Sequence, residues 1–256
     1  MSPDRGGALF DPPVALASLS GRSDAEWAEG GGPFAGCAFL GGIALDDATR
    51  RAARSMVERD RTEFLPSDPL AFVQRQLRAM DELPIRAGVN VRSAALAPIE
   101  DAAGRCQDHD AILEVNAHCR QAEMCEAGAG QALLDRPEKL CRQVEAATAT
   151  GATVSVKVRA EVDGVELPTL AAKLERAGAD AVHVDAMDSE HVVGEIADAT
   201  GLFVIANNEV RDAESAHEYF RHGADAVSVG RASDDPDVLA AVRRATHEWF
   251  QTGAKP

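Results

Sequence analysis

Lysine is nearly missing from this chain. Lys139, Lys157, Lys173 and Lys255 are the only four, and the other basic residues are arginines. Acidic residues number 42 against 26 basic ones, a formal net charge of −16. No basic footprint for nucleic acid is therefore visible in the total charge. No run of about 18 apolar residues occurs, so no membrane span is expected. The N-terminal MSPDRGGALFDPP lacks a basic stretch followed by an apolar core. It does not read as a secretory signal, and a cytoplasmic protein is expected. The five cysteines, Cys37, Cys106, Cys119, Cys125 and Cys141, are odd in number and irregularly spaced. They form neither a disulfide framework nor a CxxC zinc pair. HxH and HExxH spacings are also absent, so no metal site is expected. High acid, high alanine and scarce lysine resemble the solvated surface of a protein from a salt-rich cytoplasm.

What is present is an alternation of short apolar runs and amphipathic stretches. Strands are expected at 14–19, 34–40, 85–91, 111–117, 153–159, 181–186, 202–208 and 226–232. Their Val, Ile and Ala content suits strands buried on both faces. Helical patterns cover 45–61 and 68–81, and others start near Pro98, Pro137, Leu167, Ser189, Asp212 and Pro236. Proline is tolerated in a first helical turn. AGADAV at 177–182 and GADAV at 223–227 are helix-to-strand turns of one design. Eight strands with intervening helices in 256 residues indicate a single-domain α/β protein, a (β/α)₈ TIM barrel. The barrel is expected over 11–252, with an N-terminal arm at 1–10 and a tail at 253–256. The rival doubly wound sheet places a glycine fingerprint between its first strand and helix. Here GGG at 30–32 precedes a strand instead.

In such a barrel the carboxyl ends of the strands share one mouth, where ligands bind. The stretch ILEVNAHCRQAEMCEAGAGQALL, 112–134, brings Asn116, His118 and Cys119 to that end of strand four. Strand one supplies Ser18 and Ser20, and strand three Asn90 and Arg92. Strand five supplies Lys157 and Arg159, and strand six His183 and Asp185. Strands seven and eight end in Asn207, Asn208, Gly230 and Arg231. Lys157 interrupts an otherwise strand-like VSVKVR, and an ammonium there is costly unless paired. It fits a Schiff-base lysine, a phosphate ligand or a cation beside an electron-rich cofactor. The structural alternative is a network with Glu114 or Asp185. VIANN and VSVGRAS suit a phosphate cup, with Gly230 permitting close approach and Arg231 adding a charged contact. His183 is equally compatible with a satisfied core histidine.

Taken in order, these residues resemble the tRNA-dihydrouridine synthase-like family of FMN-binding barrels. That family's N-x-G-C-P motif matches Asn116–Arg120 as NAHCR, followed by GAGQALLDRPEKL. Its V-K-x-R matches 156–159, its V-H matches Val182 and His183, its ANG matches 206–208, and its GR matches Gly230 and Arg231. The first strand, ALASLSGRSD, is faintly similar to A-P-M-x-G-x-T-D. The resemblance implies FMN as cofactor and NAD(P)H as its reductant. It places Lys157 at the pyrimidine edge of the flavin and Asn90 where the family has a ring-contacting glutamine. It puts Asn207, Asn208, Gly230 and Arg231 at the phosphate with His183 nearby, and Ser18 and Asn116 among the cofactor-binding residues. Cys119 becomes the proton donor for reduction of the uracil C5=C6 bond. An ordinary thiol titrates near 8.5 and is mostly protonated at neutral pH.

His118 and Arg120 stand where the family has glycine and proline. The acidic charge, and a chain ending where the family continues into a helical tRNA-gripping domain, weigh against a tRNA partner. A helper protein for RNA binding would compensate. Two alternatives stay open on the sequence. One is an FMN barrel dehydrogenase acting on a free pyrimidine, similar to dihydroorotate or dihydropyrimidine dehydrogenases. The other is a flavin- or phosphate-binding barrel without redox activity.

Overall fold

A computed structural model describes residues 8–252. Eight parallel strands close into a barrel in sequence order. They are β1 Val14–Leu16, β2 Cys37–Ala44, β3 Arg86–Arg92, β4 Ile112–Asn116, β5 Thr153–Arg159, β6 Ala181–Asp185, β7 Phe203–Asn207 and β8 Ala226–Val229. The helices are α1 Ala25–Gly31, α2 Asp47–Val57, α3 Pro69–Met80, α4 Ala97–Asp108, α5 Ala122–Glu126, α6 Pro137–Thr148, α7 Leu167–Arg176, α8 His191–Ala199, α9 Ala213–Arg221 and α10 Pro236–Thr252. The (β/α)₈ expectation is met, and all eight expected strands are present. Among the described residues, no helix is long and apolar enough to cross a membrane.

Three local differences have physical causes. Helix α1 has no counterpart in the sequence reading, because its AEWAEGG composition carries two poor helix formers. Asp24 caps it by accepting from the Trp27 N–H at 3.0 Å, and Gln76 on α3 accepts from the Ala25 N–H at 2.7 Å. The helix expected over 45–61 is shorter, because Asp46 sets its start with a reciprocal cap to Thr49. Its chain turns out at Glu58, and residues 62–66 are irregular. Of the expected N-terminal arm, residues 1–7 lie outside the described residues. Phe10 is buried and meets Phe203 edge-on, ring centroids 5.5 Å apart.

Alternation along each strand builds two cores. Outward side chains such as Leu40, Val89, Leu113, Val156, Val184 and Val227 pack against the helices. Inward ones form a separate apolar cluster of Phe10, Ala15, Cys37, Phe39, Ile112, Ala181, Phe203, Ile205 and Ala226. Nearer the mouth, inward positions turn polar. Asn116, Lys157 and His183 are lateral neighbours on β4, β5 and β6.

Candidate active site

Cys119 sits on the turn leaving β4. The Asn116 carboxamide oxygen accepts from the backbone N–H of His118 at 3.1 Å and of Cys119 at 2.9 Å. The Cys119 carbonyl accepts from the Gln131 N–H at 2.9 Å. Gly130, at φ +60°, closes this loop, and a Cβ there would lie 2.4 Å from the Cys119 oxygen. This gives a physical reason for glycine in the GAG segment. The buried Cys119 packs with Ala52 and Met56 of α2, Met124 of α5 and Ala129. By contrast, Cys37 and Cys106 are core thiols. Burial pushes Cys37 up, and Cys106 up to about 12.

Beneath the turn runs a chain of buried hydrogen bonds. Asn116 donates to the Asn90 oxygen at 2.9 Å, and Asn90 donates to Glu114 at 2.6 Å. The other Glu114 oxygen lies 2.6 Å from His183 Nδ1, and His183 Nε2 lies 2.7 Å from the Ser228 hydroxyl. Asn207 donates to Ser228 Oγ at 2.8 Å. Burial opposes the Glu114 charge, but His183, Lys157 and the Asn90 hydrogen bond outweigh it, and its pKa is lowered. An ionised carboxylate only accepts. Nδ1 of His183 therefore carries the proton, and Nε2 accepts from Ser228. Burial, then the Lys157 charge, lowers His183 to about 4, which keeps it neutral.

Lys157 is 3% exposed. Burial lowers its pKa, and the charges of Glu114 and Asp185 pull it back in part. Among the described residues no group hydrogen-bonds its Nζ. Beside it, His118 Nε2 and Asp185 Oδ2 are 2.5 Å apart. Burial lowers the His118 pKa despite Asp185. Arg92 forms a buried ion pair with Glu63 at 2.7 Å and contacts Ser20. Arg92 Nε, Glu63 Oε1 and Arg159 Nε are buried without partners.

The β7–β8 rim forms the other side. Asn208 and Glu209 both have positive φ, +113° and +52°, a costly conformation for residues other than glycine. The Tyr219 hydroxyl of α9 ties this turn down by donating to the carbonyls of Asn207 and Asn208, at 3.3 and 3.1 Å. Gly230 has a negative φ, and a Cβ on it would meet nothing within 4 Å. Packing does not require glycine there, and the open space suits a ligand. Arg231 is exposed and makes no ion pair among the described residues. Ser18 is half-buried at the end of β1.

The structure thus joins Asn90, Asn116, His183 and Asn207 into one network, with Cys119 on it through its backbone. Ser18, Asn208, Gly230 and Arg231 lie at the mouth outside that network. Asn90 and His183, expected to touch the cofactor, are fully buried, and both ends of each side chain are engaged within the barrel. Sequence reasoning missed Ser228 and Tyr219, and gave Glu114 only a structural role. Counting back by twos from Asn116 and Gly230 finds Glu114 and Ser228. No local signal marks Tyr219.

A family model described as dihydrouridine synthase matches residues 62–254. An uncharacterized protein of Methanocaldococcus jannaschii is 27% identical over 235 residues, 87% of this chain and 89% of that protein. The tRNA-dihydrouridine synthase B of Xanthomonas axonopodis pv. citri is 29% identical over 189 residues, 67% of this chain and 57% of that protein. The chain therefore spans little more than half of that relative. Among solved structures, a FabK mutant from Thermotoga maritima superposes with a TM-score of 0.58 at 15% identity. The match covers 86% of this chain and 61% of that one, a likeness of fold alone.

Proposed function

The chain belongs to the dihydrouridine synthase family, and from that membership we propose that it is an FMN-dependent oxidoreductase reducing the uracil C5=C6 bond in tRNA. One observation carries the reading. A loop-held thiol, Cys119, shares a mouth with a buried ammonium, Lys157, that no group among the described residues hydrogen-bonds.

The residues present fit FMN. Lys157 has N–H donors available for the pyrimidine edge of the ring. Gly230 offers an open approach, and the side chains of Arg231, Asn208 and Ser18, without hydrogen-bond partners among the described residues, are groups for the phosphate and ribityl chain. When bound, FMN supplies the hydride for C6 of the base, and NAD(P)H is the reductant that replenishes it. The protein's own task is the proton. Cys119 Sγ holds it and delivers it to C5 as the S–H bond breaks. Asn116 fixes the Cys119 turn, and Asn90, Glu114, His183 and Ser228 position Asn116 and Asn207 from below. The Cys119 cluster with Ala52, Met56 and Met124 keeps water from the thiol.

The test is the dihydrouridine content of tRNA from a strain lacking the gene, together with flavin absorbance of the purified protein. Loss of dihydrouridine and a yellow protein are expected. Unchanged dihydrouridine, in a host with no second synthase, would remove the tRNA substrate. A flavin-loaded protein that reduces free uracil or oxidises dihydroorotate would favour the free-pyrimidine reading. A protein that takes up no FMN would end both.

A further inference from the structure

The loops around the mouth differ in charge. Those after β5, β6 and β7 (160–166, 186–190 and 208–212) carry Glu161, Asp163, Glu166, Asp188, Glu190, Glu209 and Asp212. Their sole basic residue, Arg211, pairs with Glu209. On the opposite rim, residues 47–61 carry five arginines against the three carboxylates Asp47, Glu58 and Asp60. Arg120 follows Cys119 on that same side. Within a chain of net charge −16, this rim is a local reversal of sign.

Helix α2 is built to present that reversal. A (β/α)₈ unit needs one helix between β2 and β3, and α3 fills that place. The extra α2 packs Ala52 and Met56 into the Cys119 cluster. Arg59 is clamped by Glu123 of α5 at 2.6 and 2.8 Å, and Arg50 by the carbonyls of Pro66 and Ser67. Arg51, Arg54 and Arg61 are exposed and have no ion pair among the described residues. Arg51 and Arg54 sit on the helix whose Ala52 and Met56 pack with the thiol, and Arg61 lies on the chain just beyond that helix. Arginine suits phosphate better than lysine does, through its planar fork of donors. The family match begins at residue 62, so α2 lies outside it.

A base acted on by Cys119, a 9% exposed residue, must leave its stack and enter the mouth. Its flanking phosphates then rest on the rim. The acidic β5–β7 loops repel them, and the α2 rim does not. We propose that the exposed arginines of the α2 rim, Arg51, Arg54 and Arg61, receive the phosphodiester backbone of the RNA substrate. This rests on the tRNA reading above and adds the surface and the direction of approach.

The experiment uses FMN-loaded full-length protein and unmodified tRNA transcript, with affinity measured over a range of KCl concentrations. The variant is Arg51→Glu/Arg54→Glu/Arg61→Glu. Its control, Arg78→Glu/Arg176→Glu/Arg244→Glu, makes the same change in net charge elsewhere. Each phosphate that is no longer neutralised should reduce the slope of log affinity against log salt by about 0.7–0.9. The rim variant should lose about two units of slope and raise KM for tRNA at least tenfold, with kcat and flavin content unchanged. The control should match the wild type. Equal slopes and KM for rim variant and wild type would overturn the surface and leave the tRNA reading standing. A wild-type protein that neither binds nor modifies tRNA would overturn both. Competition by poly-glutamate as strong as by tRNA would overturn the assignment to RNA in favour of an acidic polypeptide.

Discussion

Phe39 and His183 touch inside the barrel, ring centroids 5.3 Å apart, yet they belong to different regions. Phe39 belongs to the floor, where Phe10, Ile112, Phe203 and Ile205 fill the interior with apolar volume. His183 belongs to the layer above, where Glu114, Asn90, Asn116, Lys157 and Ser228 are buried and polar. Apart from Phe10, both layers come from successive inward positions along the barrel strands. The floor is stabilised by removing apolar surface from water. The upper layer takes a carboxylate and an ammonium out of water, and hydrogen bonds only partly offset that cost. The barrel is thus stabilised at one end and gives up part of that stability in arranging groups at the other.

Substitutions in each layer can break this comparison. Cys119→Ala should cut dihydrouridine formation by at least about 10²-fold, the usual scale for losing a general acid, while flavin absorbance and thermal midpoint stay near wild type. Full turnover would remove the acid role. Phe39→Ala should destabilise by about 3–5 kcal/mol, read by denaturant titration, without weakening flavin affinity in the folded protein. A folded Phe39→Ala protein that sheds its flavin would blur the two layers. Lys157→Ala, by contrast, should release FMN on dialysis and lose little stability.

Acid should separate them further. His183 titrates near 4 when folded and near 6.5 when unfolded. From pH 6.5 down toward 4 the unfolded chain binds a proton that the folded chain refuses, so stability falls as pH falls. The loss is about 3 kcal/mol by the usual conversion, read from urea midpoints, and should flatten in His183→Gln. Ser228→Ala is the smallest change, about 1 kcal/mol for one hydrogen bond removed. It should weaken FMN binding more than it lowers the melting temperature, since Asn207 loses the shorter of its two hydrogen bonds to residue 228. The reverse ranking would place Ser228 with the floor.

The barrel was legible because strand and helix periods differ and each strand ends in polar residues. Asn116, Cys119, Lys157, Gly230 and Arg231 could be read from their place at those ends. The strand positions of Asn90 and His183 are legible too, but not their depth, because sequence gives the face of a strand and not how far the mouth reaches down. The sequence places Phe10 in an N-terminal arm, since nothing local predicts that its ring meets Phe203 across the floor. Tyr219 was invisible for the same reason: it comes from α9 to hold a turn eleven residues earlier.

Every donor in the hydrogen-bond chain under Cys119 faces Glu114: Asn116 through Asn90 on one arm, Asn207 through Ser228 and His183 on the other. An amide can sit either way round, and an imidazole has two neutral forms. With the carboxylate in the middle, each has a single allowed setting. Asn116 must turn its oxygen to the Cys119 turn because its nitrogen is already engaged. Exchange Glu114 for glutamine and a donor must face a donor somewhere along one arm, so that arm must reverse. The orientation of the reactive rim is therefore stored as one negative charge two layers below it, out of reach of solvent.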